Sequence, residues 1–135
     1  MVEPEPLAGR FKTQILQRMR PTKGVPGRYQ ASVVILEGFA EGMEYPIKET
    51  YALIGRSRDA AVPLKDPMVS REHAAIVFDE DAFILKDLGS TNGTYMEGEL
   101  IEQRELSHGD KFYMGNTVLQ FILQESGSGR TYEIG

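Results

Sequence analysis

The chain contains no cysteine and no tryptophan, and its 135 residues include only two histidines, His73 and His108. The absence of cysteine excludes a disulfide framework, a thiolate metal site and a cysteine nucleophile together. Two histidines are too few for a histidine-built metal cage. Apolar runs such as Val33–Leu36 and Ala74–Phe78 are short, far below the roughly 18 residues that cross a bilayer. The opening Met1-Val2-Glu3-Pro4-Glu5-Pro6 has neither the basic nor the apolar part of a secretory signal, so the expectation is a cytoplasmic domain without membrane attachment. A basic balance is missing too. With a net charge of −5 and a pI near 5.1, the body of the chain is poorly suited to non-specific nucleic-acid binding.

What is present suits one globular domain. Hydrophobic residues make up 41% and charged residues 26%, enough for a single core. The charge is uneven: residues 1–28 carry six basic side chains against two acidic ones, whereas residues 29–135 carry nine against eighteen. Proline and glycine punctuate that first stretch, which reads as a flexible basic arm over 1–28. Within it Phe11, Ile15, Leu16 and Met19 share one face of a short helix expected at 10–19. Residues 29–125 form the folded domain, and 126–135, opening with Ser126-Gly127-Ser128-Gly129, read as a tail.

Inside the domain, short segments rich in β-branched and aromatic residues recur between turn residues, the pattern of an antiparallel sandwich or barrel. Strands are expected at 31–37, 43–48, 51–55, 61–64, 74–79, 82–87, 94–96, 99–101, 111–114 and 117–124. Alternation places Ala74, Ile76 and Phe78 on one strand face, and Phe83, Leu85 and Asp87 on another. Asp79-Glu80-Asp81 reads as a tight acidic hairpin, and Glu97-Gly98 and Gly115-Asn116 as two-residue turns. The fold class is all-β.

Ser70, His73 and Asp87 supply the residue types of a hydrolase triad, but a triad is a matter of geometry. Gly89-Ser90-Thr91-Asn92-Gly93 misses the nucleophile-elbow spacing by one position. The acidic hairpin lacks the spaced ligands of a calcium loop. Three polar turns remain, each following or preceding an apolar run: Gly55-Arg56-Ser57, Val69-Ser70-Arg71-Glu72-His73, and Asp87 through Thr94. All three suit an oxyanion. Arginine offers a planar fork of donors matched to phosphate, and serine hydroxyls with glycine-turn amides complete a cradle.

Gly55-Arg56, Ser70-Arg71-Glu72-His73 and Gly89-Ser90-Thr91-Asn92-Gly93-Thr94, followed by Leu106-Ser107-His108-Gly109-Asp110 and Gly115, resemble the signature blocks of the forkhead-associated (FHA) domain over about residues 30–124. The resemblance implies an antiparallel β-sandwich of about eleven strands whose end loops bind phosphothreonine peptides. On that pattern Arg56 binds the phosphate or the backbone before it, Ser70 hydrogen-bonds the phosphate, and Arg71 adds a second phosphate contact. Thr91 encloses the phosphothreonine, and Asn92 holds the peptide main chain. Gly55, Gly93 and His73 have architectural roles. The resemblance makes the chain a non-enzymatic adaptor in Ser/Thr kinase signalling, with a phosphothreonine protein as partner and no cofactor or metal. A Ser/Thr kinase is a candidate partner as well. Thr13 and Thr22 are candidate phosphorylation sites through which the chain could capture its own arm or associate with itself. A phospho-independent interaction or structural FHA-like domain is the alternative.

Overall fold

The computed structural model describes residues 24–126. The helix expected at 10–19, Thr13, Thr22 and the tail beyond Ser126 lie outside these residues. Eleven strands occur in the order β1 (Tyr29–Glu37), β2 (Glu44–Ile47), β3 (Tyr51–Gly55), β4 (Val62–Pro63), β5 (Ala74–Asp79), β6 (Ala82–Asp87), β7 (Thr94–Met96), β8 (Glu99–Ile101), β9 (Gln103–Leu106), β10 (Lys111–Met114) and β11 (Thr117–Glu125). They form a six-stranded sheet, β2-β1-β11-β10-β7-β8, and a five-stranded sheet, β4-β3-β5-β6-β9. Pairing is antiparallel except between β3 and the two-residue β4, which run parallel.

The core lies between the sheets. Ala31, Val33 and Ile35 of β1, with Leu119 and Phe121 of β11, face Ile54, Ile76, Phe83 and Leu85 from the other sheet. The Phe83 and Phe121 rings meet at a centroid distance of 5.3 Å, and Tyr29 and Phe78 extend this aromatic cluster. Burying one such ring contributes about 1.5–3 kcal/mol.

Ten of the eleven strands fall where the alternation puts them. The one not expected from the pattern is β9, Gln-Arg-Glu-Leu, which buries only Leu106. It is a strand because the free side of β6 is covered by pairing Phe83–Lys86 with Leu106–Gln103. β5 also departs from simple alternation, since Ala74, Ala75, Ile76 and Val77 are all buried. On its outer face Ala75 is flanked by Leu53 and Lys86, and Val77 by Tyr51 and Ile84, so larger cross-strand neighbours shield the smaller residues. The acidic hairpin forms as a two-residue turn with Glu80 and Asp81 both at positive φ, the twist that suits a tight hairpin.

Residues 24–28 are already attached to the sandwich, so the arm is tied down earlier than its expected end at 28. Gly24 bridges Glu49, Val25 N–H donates to Lys48 O at 2.8 Å, and Val25 packs on the core. Ser126 N–H donates to Arg28 O at 2.7 Å. Tyr29 stands opposite Glu125 at one end of the β1/β11 ladder. The described chain therefore enters and leaves at one pole. At the other pole, about 27 Å along the nine-residue β11, Thr117 reaches the loop before β5.

Candidate functional site

Three loops converge at that second pole: residues 56–61 between β3 and β4, 64–73 between β4 and β5, and 88–93 between β6 and β7. Gly55 is where the first two cross. Arg56 N–H donates to Ser70 O at 3.1 Å and Ser57 N–H to Arg71 O at 3.0 Å. A Cβ on Gly55 would lie 2.2 Å from Arg71 O, so only glycine admits this approach.

His73 joins the second and third loops. It is fully buried. Its Nδ1 accepts the Ser70 N–H at 3.0 Å, and Nε2 lies 2.9 Å from Gly93 O. The Ser70 amide can only donate, so the ring proton is on Nε2 and is donated to Gly93. The His73 backbone donates to Ile54 O and accepts from Leu88 N–H. Gly93 has φ +89 and its own amide donates to Ser90 Oγ.

Two carboxylates hold the remaining loop backbone. Asp66, fully buried, accepts from Met68 N–H at 2.9 Å, Asn116 N–H at 2.6 Å and Thr117 Oγ1–H at 2.9 Å. Asp87 accepts from Ser90 Oγ–H, Thr94 Oγ1–H and the amides of Gly89 and Ser90. Burial is the largest influence on each and opposes ionisation, but the donated hydrogen bonds outweigh it and hold both carboxyls below their usual range. A carboxyl depressed in the folded state contributes stability that is complete above its unfolded pKa, about 3.9, and is lost as pH falls through the lower folded value. Urea midpoints followed from pH 6 down to pH 2.5 are therefore expected to drop below about pH 4. The drop should be shallower in Asp66→Asn and Asp87→Asn, each less stable at neutral pH; an unchanged slope in both variants would show that other carboxyls dominate.

On this frame Arg56, Ser70, Arg71, Thr91 and Asn92 line one shallow cleft of about 350 Å³ together with Pro67, Met68 and Val69. No carboxylate lines it, and its charged groups are the two arginines. Arg56 Nε donates to Val69 O at 2.6 Å, which orients the guanidinium and leaves its terminal nitrogens as a fork of donors. Ser70 Oγ accepts Thr91 N–H at 3.1 Å, so the hydroxyl proton can be donated to a bound oxyanion. Asn92 Nδ2 donates to Met68 O at 2.8 Å; its carbonyl and second N–H remain for a main chain. All five residues expected from the sequence to bind the phosphopeptide thus share one surface. Met68 and Pro67, which also line it, and the buried Asp66 beneath were not singled out. Their one signal was Asp66-Pro67, a dipeptide that starts turns.

The triad reading fails on the same geometry. Ser70 meets His73 through its amide rather than its hydroxyl, and Asp87 is engaged by Ser90, Thr94 and Gly89 rather than by the His73 ring. Among the described residues no cluster of three or more His, Cys, Asp or Glu is placed to hold a metal ion.

The family profile of the FHA domain matches residues 52–115. A solved FHA domain studied for phosphothreonine-dependent interactions is 30% identical to this chain, superposes with a TM-score of 0.66 and is covered over 99% of its length by 72% of this chain. The chain belongs to the FHA family. Two curated relatives from Mycobacterium tuberculosis agree with this: the FHA domain-containing protein FhaA, 34% identical over 93 residues, and the glycogen accumulation regulator GarA, 32% identical over 92. The matches take in 69% and 68% of this chain, but only 18% of FhaA and 57% of GarA. In this FHA domain the 52–115 match contains all three convergent loops, and β1, β2 and β11, the first two strands and the last in sequence, lie beyond it on either side.

Proposed function

We propose that this FHA domain is a phosphothreonine-dependent peptide-binding module, a non-catalytic adaptor that brings a phosphorylated protein into Ser/Thr kinase signalling in the cytoplasm. The observation that carries the reading is the cleft lined by Arg56, Ser70, Arg71, Thr91 and Asn92, with no carboxylate among its lining residues. A dianionic phosphate is matched by two arginines and a serine hydroxyl, and an extended main chain by Asn92. The phosphothreonine-dependent interactions of the 30% identical FHA domain support the choice of ligand.

Arg56→Ala tests it. A charge-assisted contact contributes about 1.5–3 kcal/mol, so the substitution is expected to weaken a selected phosphothreonine peptide about 10- to 150-fold. The fold should persist because the Arg56 side chain is exposed. Titration calorimetry with the peptide and its unphosphorylated twin decides the matter. Equal binding of the twins, or unchanged affinity in Arg56→Ala, would refute the assignment.

Capture of the chain's own arm is a finer form of the same proposal. Gly24 is anchored at the pole opposite the cleft. Thr22 lies two residues before it, about 7 Å of extended chain, against a strand about 27 Å long. A phosphorylated Thr22 therefore reaches only the cleft of another molecule. Thr13, eleven residues before Gly24, has about 36–40 Å and can reach its own.

A further inference from the structure

Six large hydrophobic side chains are exposed among the described residues: Phe39, Met43, Met68, Tyr95, Leu100 and Tyr113. All lie toward the cleft pole. Met68 lines the cleft itself. Phe39 and Met43 belong to the turn between β1 and β2, where Gly38 packs beside Asn116 and Thr117. The other three form a single row. Tyr113 of β10 stands opposite Tyr95 of β7, and Tyr95 opposite Leu100 of β8; on the far side Tyr113 pairs with Val118 of β11. The row crosses four strands on the outer face of the six-stranded sheet. Exposure is 40% for Tyr113, 38% for Tyr95 and 67% for Leu100. Single exposed apolar residues are ordinary; a contiguous row on one sheet face is a candidate interaction surface.

The row is continuous with the cleft. A Cβ on Gly93 would lie 2.6 Å from Leu100 Cδ1 and 3.3 Å from the Tyr95 hydroxyl. Tyr95 and Leu100 therefore lean on the residue directly after Asn92. The row thus begins one residue from Asn92, which lines the cleft. Of the acids beside it, Glu97 and Glu99 both pair with Arg104, at 3.8 and 2.9 Å.

We infer that the Tyr95–Tyr113–Leu100 face is a second part of the partner interface, seating aliphatic or aromatic side chains that flank the phosphothreonine in the partner's chain. The inference rests on the phosphothreonine reading of the cleft. The cleft supplies charge-dependent capture, and the row supplies apolar selection among phosphorylated proteins. Aromatic anchors beside a polar site are the usual carriers of such selectivity.

The test uses the full chain and a library of phosphothreonine peptides about twenty residues long, randomised on both sides, with selection followed by calorimetry on the winners and on their short cores. Selected peptides are expected to carry apolar side chains outside the core and to bind about tenfold or more tightly than the cores. The double variant Leu100→Lys/Tyr113→Lys, both exposed positions, should lose that gain while binding the cores within about twofold of the unaltered chain. Equal affinity for long and short peptides overturns the inference, as does a gain that survives the substitutions. A phosphate-independent dimer in sedimentation that the double variant dissociates, without any flank selection, would assign the face to a second copy instead. If the short cores themselves fail to bind the unaltered chain, the phosphothreonine reading fails, and this inference falls with it.

Discussion

His73→Ala is expected to lower the stability of the domain by about 3–5 kcal/mol and to weaken phosphopeptide binding in the fraction that remains folded. Two effects combine. Removing a fully buried imidazole leaves a cavity where the β4–β5 and β6–β7 loops meet the core. It also strips partners from the Ser70 amide and the Gly93 carbonyl, which the ring bridges at 3.0 and 2.9 Å. An unsatisfied buried polar group costs about 1–3 kcal/mol. Against a usual total stability of about 5–15 kcal/mol, this is a large share. Binding should suffer beyond the loss of folded protein, because Ser70 and the loop carrying Thr91 and Asn92 lose their common tether. His108→Ala is the control: His108 is exposed and its Nδ1 accepts a single amide, Leu123 N–H at 3.0 Å. Its cost should be about 1 kcal/mol or less. Denaturant midpoints that move equally in the two variants would show that His73 is not the tie described.

The contrast between these histidines shows how far the sequence could be read. His73 stood within a recognisable block, so an architectural role was legible, but not that its ring ties two loops together. Which atoms its ring meets depends on Gly93, twenty residues away, and no local pattern contains that. The strands were legible because alternation and turn residues are local. β9 was not, because Gln103–Leu106 has no strand propensity of its own and pairs to complete the edge of β6. The proposed binding residues were named by their likeness to family blocks; their convergence on one cleft is a product of the two-sheet topology. Asp66 was missed for the same physical reason. Its partners Asn116 and Thr117 lie fifty residues downstream, and a lone aspartate before a proline looks like any turn.

Gly55 carries the second large expectation. Gly55→Ala should destabilise the domain by about 3 kcal/mol and reduce phosphopeptide affinity together with it. The glycine is not needed for an unusual φ; it is needed for space. A methyl group there would stand 2.2 Å from Arg71 O, 2.8 Å from Arg71 C and 2.8 Å from Ser70 O. All three are backbone atoms, so no side-chain rotation relieves the contact. The segment bearing Ser70 and Arg71 must move away from β3. That movement stretches the two hydrogen bonds that hold the loops in register, Arg56 N–H to Ser70 O and Ser57 N–H to Arg71 O. It also changes the spacing between the Arg56 guanidinium and the Ser70 hydroxyl, which line the same cleft and which the proposed function sets on one phosphate. Gly27→Ala provides the comparison, since nothing lies within 4 Å of a Cβ at that position, and it should leave stability and binding nearly unchanged. Thermal unfolding and calorimetry on the pair settle the point. If Gly55→Ala unfolds with Gly27→Ala and binds as tightly, the close crossing of β3 beneath Ser70 and Arg71 does not set the geometry of the proposed phosphate site.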